Sequence, residues 1–252
     1  MRVTIFESNE ELDRQAADMI AQTVAKRPSA VLGLATGSTP VGIYKALIKQ
    51  AAEQRLSFAG VTTYNLDEYV GLTPEHDQSY AYFMKQHLFS HLDIPSAQTN
   101  LPNGMADDLS AECARYDRML ERQPIDIQLL GIGHNGHIGF NEPAAELIGG
   151  THIAELEAAT LAANARFFEH EEQVPRQALT MGVGSILKAR SILLVARGAD
   201  KAPIIKQALS GPITTACPAS LLQTHAHVTV LLDKEAGKDL IPDDTTLHLV
   251  YS

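Results

Sequence analysis

Residues Ile125 to Pro143 read IDIQLLGIGHNGHIGFNEP, an apolar run that passes straight into a glycine-rich turn. Ile125–Leu130, preceded by Pro124, has the length and composition of a buried strand. Gly131–Pro143 then holds four glycines, two histidines, two asparagines and a glutamate in thirteen residues. Glycines let the backbone bend sharply and come close to a ligand. His137 and Glu142 bring an imidazole and a carboxylate within a few residues, a combination that moves protons near neutral pH. Taken alone, the segment could also be a surface loop with two solvated histidines. Its neighbours along the chain argue otherwise.

Working outward, apolar runs alternate with helical periodicity. Val3–Glu7, Ala30–Ala35 and Val61–Leu66 precede the opening segment as strands, and Ser191–Ala196, Val228–Leu232 and Thr246–Val250 follow it. Helices are predicted over Asn9–Lys26, Pro40–Gln54, Ser79–Leu92 and Leu109–Arg122. In the first, Leu12, Ala16, Met19, Ile20 and Val24 share one face, and Ser8 with Glu11 suits a capping box. Mostly apolar strands separated by helices predict an α/β fold. It is three-layered and Rossmann-like, with a mostly parallel sheet and helices on both faces. No repeat, low-complexity tract or linker interrupts residues 1–252, so one domain is expected. Ala144–Pro175, rich in Ala and Glu and without a clear strand, reads as a lid or as an ordinary surface helix pair.

Sheets of this kind bind ligands beyond the carboxyl ends of their strands. Four strand ends carry suitable residues: Thr36–Thr39, Asp67, Gly133–Glu142 and Lys201. In Thr36-Gly37-Ser38-Thr39-Pro40, Thr39 is expected to cap the next helix, and Pro40 suits its first position. Backbone N–H groups and hydroxyls at a helix start form an anion site, though a well-capped helix would read the same. It is neither a Walker A sequence nor a dinucleotide fingerprint, so no nucleotide is implied. In Arg197-Gly198-Ala199-Asp200-Lys201, Asp200 is expected to cap a helix with Lys201 in the first turn. A lysine there opposes the helix dipole unless an anion lies between them. Asp67 closes an apolar strand beside Glu68, and a carboxylate against apolar walls can serve as a base.

Three motifs together resemble the glucosamine-6-phosphate deaminase family: GIGHNGHIGFNEP, Asn65–Tyr69 (NLDEY) and Thr36–Pro40 (TGSTP). The resemblance runs from about Val31 to about Val230. It implies conversion of glucosamine 6-phosphate and water to fructose 6-phosphate and ammonium. By this resemblance His137 matches the ring-opening catalyst and Glu142 its paired carboxylate. Asp67 matches the base that takes the C2 proton. Thr36, Gly37, Ser38, Thr39 and Lys201 match the phosphate site, and Arg166 matches another substrate contact. Some family members carry Asp where this chain has Asn135. Asn cannot carry charge, yet it can orient His137 by hydrogen bonding, so activity with a shifted pH profile is expected. His134 is expected to be exposed and outside the catalysis. His134-x-x-His137, Glu142 and His225-x-His227 could suggest zinc, but helical ligand spacing is absent and the isomerisation needs no Lewis acid. No metal or cofactor is expected.

Two other functions share the fold. A 6-phosphogluconolactonase would not need Phe140-Asn141-Glu142-Pro143 or Asp67 as a base. A sugar-phosphate-binding sensor in a transcription regulator would carry a helix-turn-helix segment, whereas this sequence starts at its first strand. Hexameric family members are activated by N-acetylglucosamine 6-phosphate through Ser, Arg, Lys and Thr. The matching positions here are Ala145, His152, Ala154 and Glu155, and the sequence stops at Ser252 without the longer tail of those members. A non-allosteric enzyme is expected, as a monomer or small homo-oligomer.

The formal net charge of −10 disfavours nucleic acid or an anionic membrane as partner. It also means that an anionic substrate must be held by a few well-placed donors. No apolar run reaches the roughly 18 residues of a membrane span, and MRVTIFESNEEL lacks a signal-peptide core. Cys113 and Cys217 make no disulfide framework, which suits a cytoplasmic protein.

Overall fold

The computed structural model describes residues 1–156, 161, 168, 170, 173–240 and 248–251. The chain runs β1 (Arg2–Phe6), α1 (Asn9–Lys26), β2 (Val31–Leu34), α2 (Ser38–Gln54), β3 (Thr62–Asn65), β4 (Asp67–Tyr69) and α3 (Tyr80–His87). It continues through β5 (Thr99–Asn100), α4 (Leu109–Arg122), β6 (Ile127–Leu130), β7 (His152–Glu155), β8 (Gln177–Thr180) and α5 (Val183–Leu187). Last come β9 (Ile192–Ala196), α6 (Ala202–Ser210), β10 (Val228–Asp233), α7 (Lys234–Gly237) and β11 (His248–Tyr251).

The main sheet has eight strands in the order β11-β1-β10-β9-β6-β2-β3-β5. Every pairing in it is parallel. Its central strands β9, β6 and β2 are buried at every position, as VLGL in β2 and ILLVA in β9. A sheet covered on both faces requires such unbroken apolar runs. Parallel strands joined by right-handed crossovers put α1 and α2 on one face, since both connections run towards β5. The connections through α4 and α6 run back towards β11, so these helices take the other face. There Tyr116 of α4 meets Tyr64 of β3 edge-on, with ring centroids 5.8 Å apart. Because β2 and β9 send their helices to opposite faces with β6 between them, a crevice opens above β6.

The α/β class and parallel sheet agree with the sequence reading, and each expected strand lies within two residues of its observed bounds. α1 matches its expected span, and the Glu11 N–H donates to Ser8 Oγ at 3.2 Å. Three expectations are corrected. α3 stops at His87, and a separate 3-10 turn spans Phe89–His91. The chain does not simply end a strand at Asp67, because β4 begins there. Nor is Ala144–Pro175 without a strand, since β7 lies inside it. β4, β8 and β7 form a second, antiparallel sheet in that order. Part of the region expected to form a lid lies outside the described residues.

Candidate active site

A cleft of about 650 Å³ lies over the carboxyl ends of β2, β3, β6 and β9, within the range of small-ligand sites. Thr36, Gly37, Ser38 and Thr39 form one wall, Asp67 and Tyr80 another, and His137, Phe140, Arg197 and Lys201 further parts of the lining. The structure therefore brings together most of the residues singled out in the sequence. Arg166 lies outside the described residues.

The Thr36–Thr39 turn differs in detail from expectation. α2 starts at Ser38 and its N-cap is Gly37, so Thr39 does not cap the helix and Pro40 is the third helical residue. Gly37 sits at φ 93° with open space around it, so its backbone conformation, not lack of room, calls for glycine. No side chain caps this helix. Its first N–H groups remain available for an anion at the dipole's positive end.

Asp67 and Glu68 are both buried but serve different surroundings. Glu68 accepts hydrogen bonds from the N–H groups of Tyr69, Tyr80 and Ala81 at 2.8, 3.0 and 2.8 Å. It thus fastens the start of α3 to β4. Asp67 faces the cleft. Burial, reinforced by the Glu68 charge, pushes the Asp67 carboxyl up to about 8.

The Gly131–Pro143 loop folds back on itself, with the Gly133 N–H donating to the His137 carbonyl at 2.9 Å. An added Cβ at Gly133 would fall 2.3 Å from His137 Nε2, so only glycine lets the imidazole lie there. Buried Asn141 staples the loop by donating to Ile138 O at 2.8 Å and Met181 O at 2.9 Å. His137 Nδ1 lies 2.9 Å from Glu142 Oε1. Asn135 Nδ2 donates to the other oxygen, Oε2, at 2.6 Å, while its Oδ1 accepts the His137 N–H at 3.2 Å. Asn135 thus orients the carboxylate and the loop backbone, not the imidazole ring itself. Burial pushes Glu142 up, but the hydrogen bond and charge of His137, with the Asn135 amide, outweigh it and hold the carboxyl below its ordinary value.

Lys201 ends a 3-10 turn, Ala199–Lys201, and is the N-cap of α6, again without a side-chain cap. Asp200 does not cap the helix as expected. Its Oδ2 instead meets His134 Nε2 at 2.6 Å. His134 is exposed, as anticipated, but it is bonded and lines the cleft. Burial pulls the Lys201 ammonium below its ordinary value, against the pull of Asp200.

Sequence reasoning missed Tyr80, Phe140 and Arg197 as parts of the lining. Tyr80 and Phe140 stack with planes 3° apart. Arg197 is paired with Asp13 of α1. Nothing local in the sequence marks Tyr80, because it reaches the site only through α3. His225 and His227 lie before β10, at the opposite end of the sheet, and His225 Nε2 bonds Ala189 O at 2.8 Å. Among the described residues no group of three or more His, Cys, Asp or Glu side chains is arranged for a metal.

A family model described as glucosamine-6-phosphate isomerases/6-phosphogluconolactonase matches residues 7–231. The chain belongs to this family. Among curated relatives, the glucosamine-6-phosphate deaminase of Bacillus velezensis is 53% identical over 238 residues, 94% of this chain and 99% of the relative. That of Geobacillus sp. (strain WCH70) is 52% identical over 236 residues, 93% and 94% of the two chains. Among solved structures, a monomeric glucosamine-6-phosphate deaminase superposes with a TM-score of 0.91 at 45% identity, covering 95% of this chain and 100% of that one. A 6-phosphogluconolactonase from Trypanosoma cruzi has a TM-score of 0.75 at 19% identity, over 95% of this chain and 96% of that one. The lactonase likeness shows the shared fold, while the deaminase relatives within the family are about half identical to this chain.

Proposed function

We propose that this chain converts glucosamine 6-phosphate and water to fructose 6-phosphate and ammonium, an aldose–ketose isomerisation coupled to deamination. One observation carries the reading. A buried carboxylate, an imidazole and two helix N-termini, one with a lysine, line a single cleft, and Glu142 stands 2.9 Å behind that imidazole. The deaminase relatives agree with it.

The substrate phosphate binds the N–H groups and hydroxyls of Thr36–Thr39 and the Lys201 ammonium. Arg166 adds a further contact. The sugar then extends towards Asp67 and His137. Ring opening moves a proton from the C1 hydroxyl to the ring oxygen. His137 takes that hydroxyl proton at Nε2 and becomes a cation paired with Glu142, whose Oε1 lies 2.9 Å from Nδ1. Asn135 holds Glu142 in place for that pair. The open form has an aldehyde at C1 and the amino group at C2. Asp67, as carboxylate, takes the C2 proton while the C1 oxygen is protonated, giving an enaminol; it then returns its proton at C1 as the nitrogen gives up one, leaving an imine at C2. Water adds to that carbon, and ammonia leaves. A base raised to about 8 is better matched to a carbon-bound proton than an ordinary aspartate. Phe140 and Tyr80 keep water from the transferred proton.

The chain is a single domain acting in amino-sugar catabolism in the cytoplasm. Among the described residues no helix is long and apolar enough to cross a membrane. It is also non-allosteric, as a monomer or small homo-oligomer. At the positions where hexameric relatives hold an effector phosphate, His152 Nδ1 bonds Gly150 O at 3.0 Å, and Glu155 is a carboxylate bonded to Gln177. Ala145 and Ala154 offer no donor side chain.

The deciding experiment is ammonium release from glucosamine 6-phosphate. Release by the intact protein, lost in Asp67→Asn with substrate still bound, supports the reading. Hydrolysis of 6-phosphogluconolactone without ammonium release overturns it. Sigmoidal kinetics relieved by N-acetylglucosamine 6-phosphate overturn the non-allosteric part.

A further inference from the structure

His134 and Asp200 bond each other across the mouth of the cleft, Nε2 to Oδ2 at 2.6 Å. With side chains 73% and 58% exposed, the pair contributes little to stability. Its location is more informative. His134 stands in the loop that carries His137, and Asp200 directly precedes Lys201, the one lysine among the described residues of the lining. A free carboxylate at that point would draw the Lys201 ammonium to itself and repel an incoming phosphate dianion. Neither oxygen forms an ion pair with the lysine, although the Asp200 charge still pulls on it. Oδ2 takes the His134 bond. Oδ1 folds back over Gly198, which sits at φ 91° and where an added Cβ would lie 2.6 Å from that oxygen. Lys201 makes no ion pair with any described residue. Arg197, which also lines the cleft, is already committed to Asp13. Among the described residues that line the cleft, Lys201 is therefore a cation without an ion-pair partner.

We infer that His134 is a positioning residue for phosphate binding: it holds the Asp200 carboxylate on the outer lip and so leaves the Lys201 ammonium free for the substrate. The inference rests on the phosphate site proposed above. A unit charge facing a dianion about 7 Å away in water-like surroundings alters affinity roughly three- to tenfold, and salt screens it.

The test is steady-state ammonium release from glucosamine 6-phosphate at low ionic strength. His134→Ala should raise KM about three- to tenfold with kcat within about twofold, and the increase should shrink in ~0.5 M salt. Adding Asp200→Asn to His134→Ala should return KM to that of the intact protein, a rescue that a merely structural role would not give. Both side chains are exposed, so thermal melting should barely move. An unchanged KM in His134→Ala overturns the inference, as does a double variant as impaired as the single. Lys201→Ala separates the two levels. A raised KM there beside an unaffected His134→Ala sinks this inference alone, whereas an unchanged KM there sinks the phosphate site with it.

Discussion

Asp67→Asn should make the protein more stable and almost inactive, and one cause underlies both effects. The Asp67 carboxyl is pushed from 3.8 to about 8, first by burial and then by the Glu68 charge. The folded protein thus keeps this proton up to about pH 8, while the unfolded chain releases it near 3.8. Between those values folding takes up a proton. Stability therefore falls as pH rises, by up to about 1.36 kcal/mol per unit. From pH 5 to pH 7 this amounts to roughly 2–3 kcal/mol. Asparagine has nearly the same shape, carries no charge and has no such slope. Glu68 is also raised by burial, against the pull of the Tyr80, Ala81 and Tyr69 N–H groups, and it remains in both proteins. Urea unfolding at pH 5, 6 and 7 should therefore show a gap that widens in favour of the variant by about 2 kcal/mol. That corresponds to roughly 4–8 °C in Tm for a chain of this size. Activity at pH 7 should fall by about two to four orders of magnitude. In the intact protein kcat/KM should rise with pH towards 8, since only about one-tenth of Asp67 is ionised at pH 7. Stability curves that stay parallel from pH 5 to 7 would refute the reasoning, because Asp67 would then ionise alike in both states.

Three other substitutions probe the surroundings of the site. Asn135→Asp sets a carboxylate where an amide now donates to Glu142 Oε2 at 2.6 Å. Glu142 is held below its ordinary value, so its charge is lost only as pH falls past that point; below the Asp67 limb, the variant should move this second, lower acid step of kcat/KM upward by about one unit, and an unmoved step would count against Asn135 as the orienting group. Gly133→Ala drives a Cβ against the His137 ring; kcat should drop about a hundredfold or more with only a small change in Tm, and normal turnover would mean the ring is not needed in this position. Asp126→Ala removes the acceptor for the Val31 N–H at 2.8 Å and for Arg27 at 2.8 Å, at the sheet end remote from the cleft. It should cost about 2–3 kcal/mol in urea unfolding and leave kcat unchanged.

Much of the fold was legible because the strands of a covered parallel sheet are continuous apolar runs, and β2, β6 and β9 read that way without help. The small sheet was not legible. DEY, HIAE and QALT are three or four residues long, too short for alternation to emerge, and they gain strand geometry only from one another across 113 residues of chain. The same holds within the site. Thr36–Thr39, Asp67, His137 and Lys201 announce themselves by following strands. Tyr80 could not, since its place depends on Glu68 fastening the start of α3. Capping was misjudged twice for one reason. Thr39 and Asp200 look like caps by residue type, but positive-φ glycines, Gly37 and Gly198, make both turns. Those glycines leave the helix starts open towards the cleft, as an anion site requires.

The two acidic groups of the proposed chemistry are displaced in opposite directions, and this assigns their roles. Asp67 is raised because apolar walls and a neighbouring carboxylate surround it, and among the described residues no donor bonds its side chain. Glu142 is lowered because His137 and Asn135 both donate to it. A carboxylate that must accept a carbon-bound proton gains from the first environment, since its affinity for the proton is high. One that must stay ionised to fix an imidazole gains from the second. Exchanging the environments would disable both steps: a well-solvated Asp67 would be too weak a base, and a protonated Glu142 would compete with His137 for the role of donor. An uncharged residue at 135 fits this division, because its amide supports the Glu142 charge without adding a third carboxylate to a cleft that must also accept a phosphate dianion.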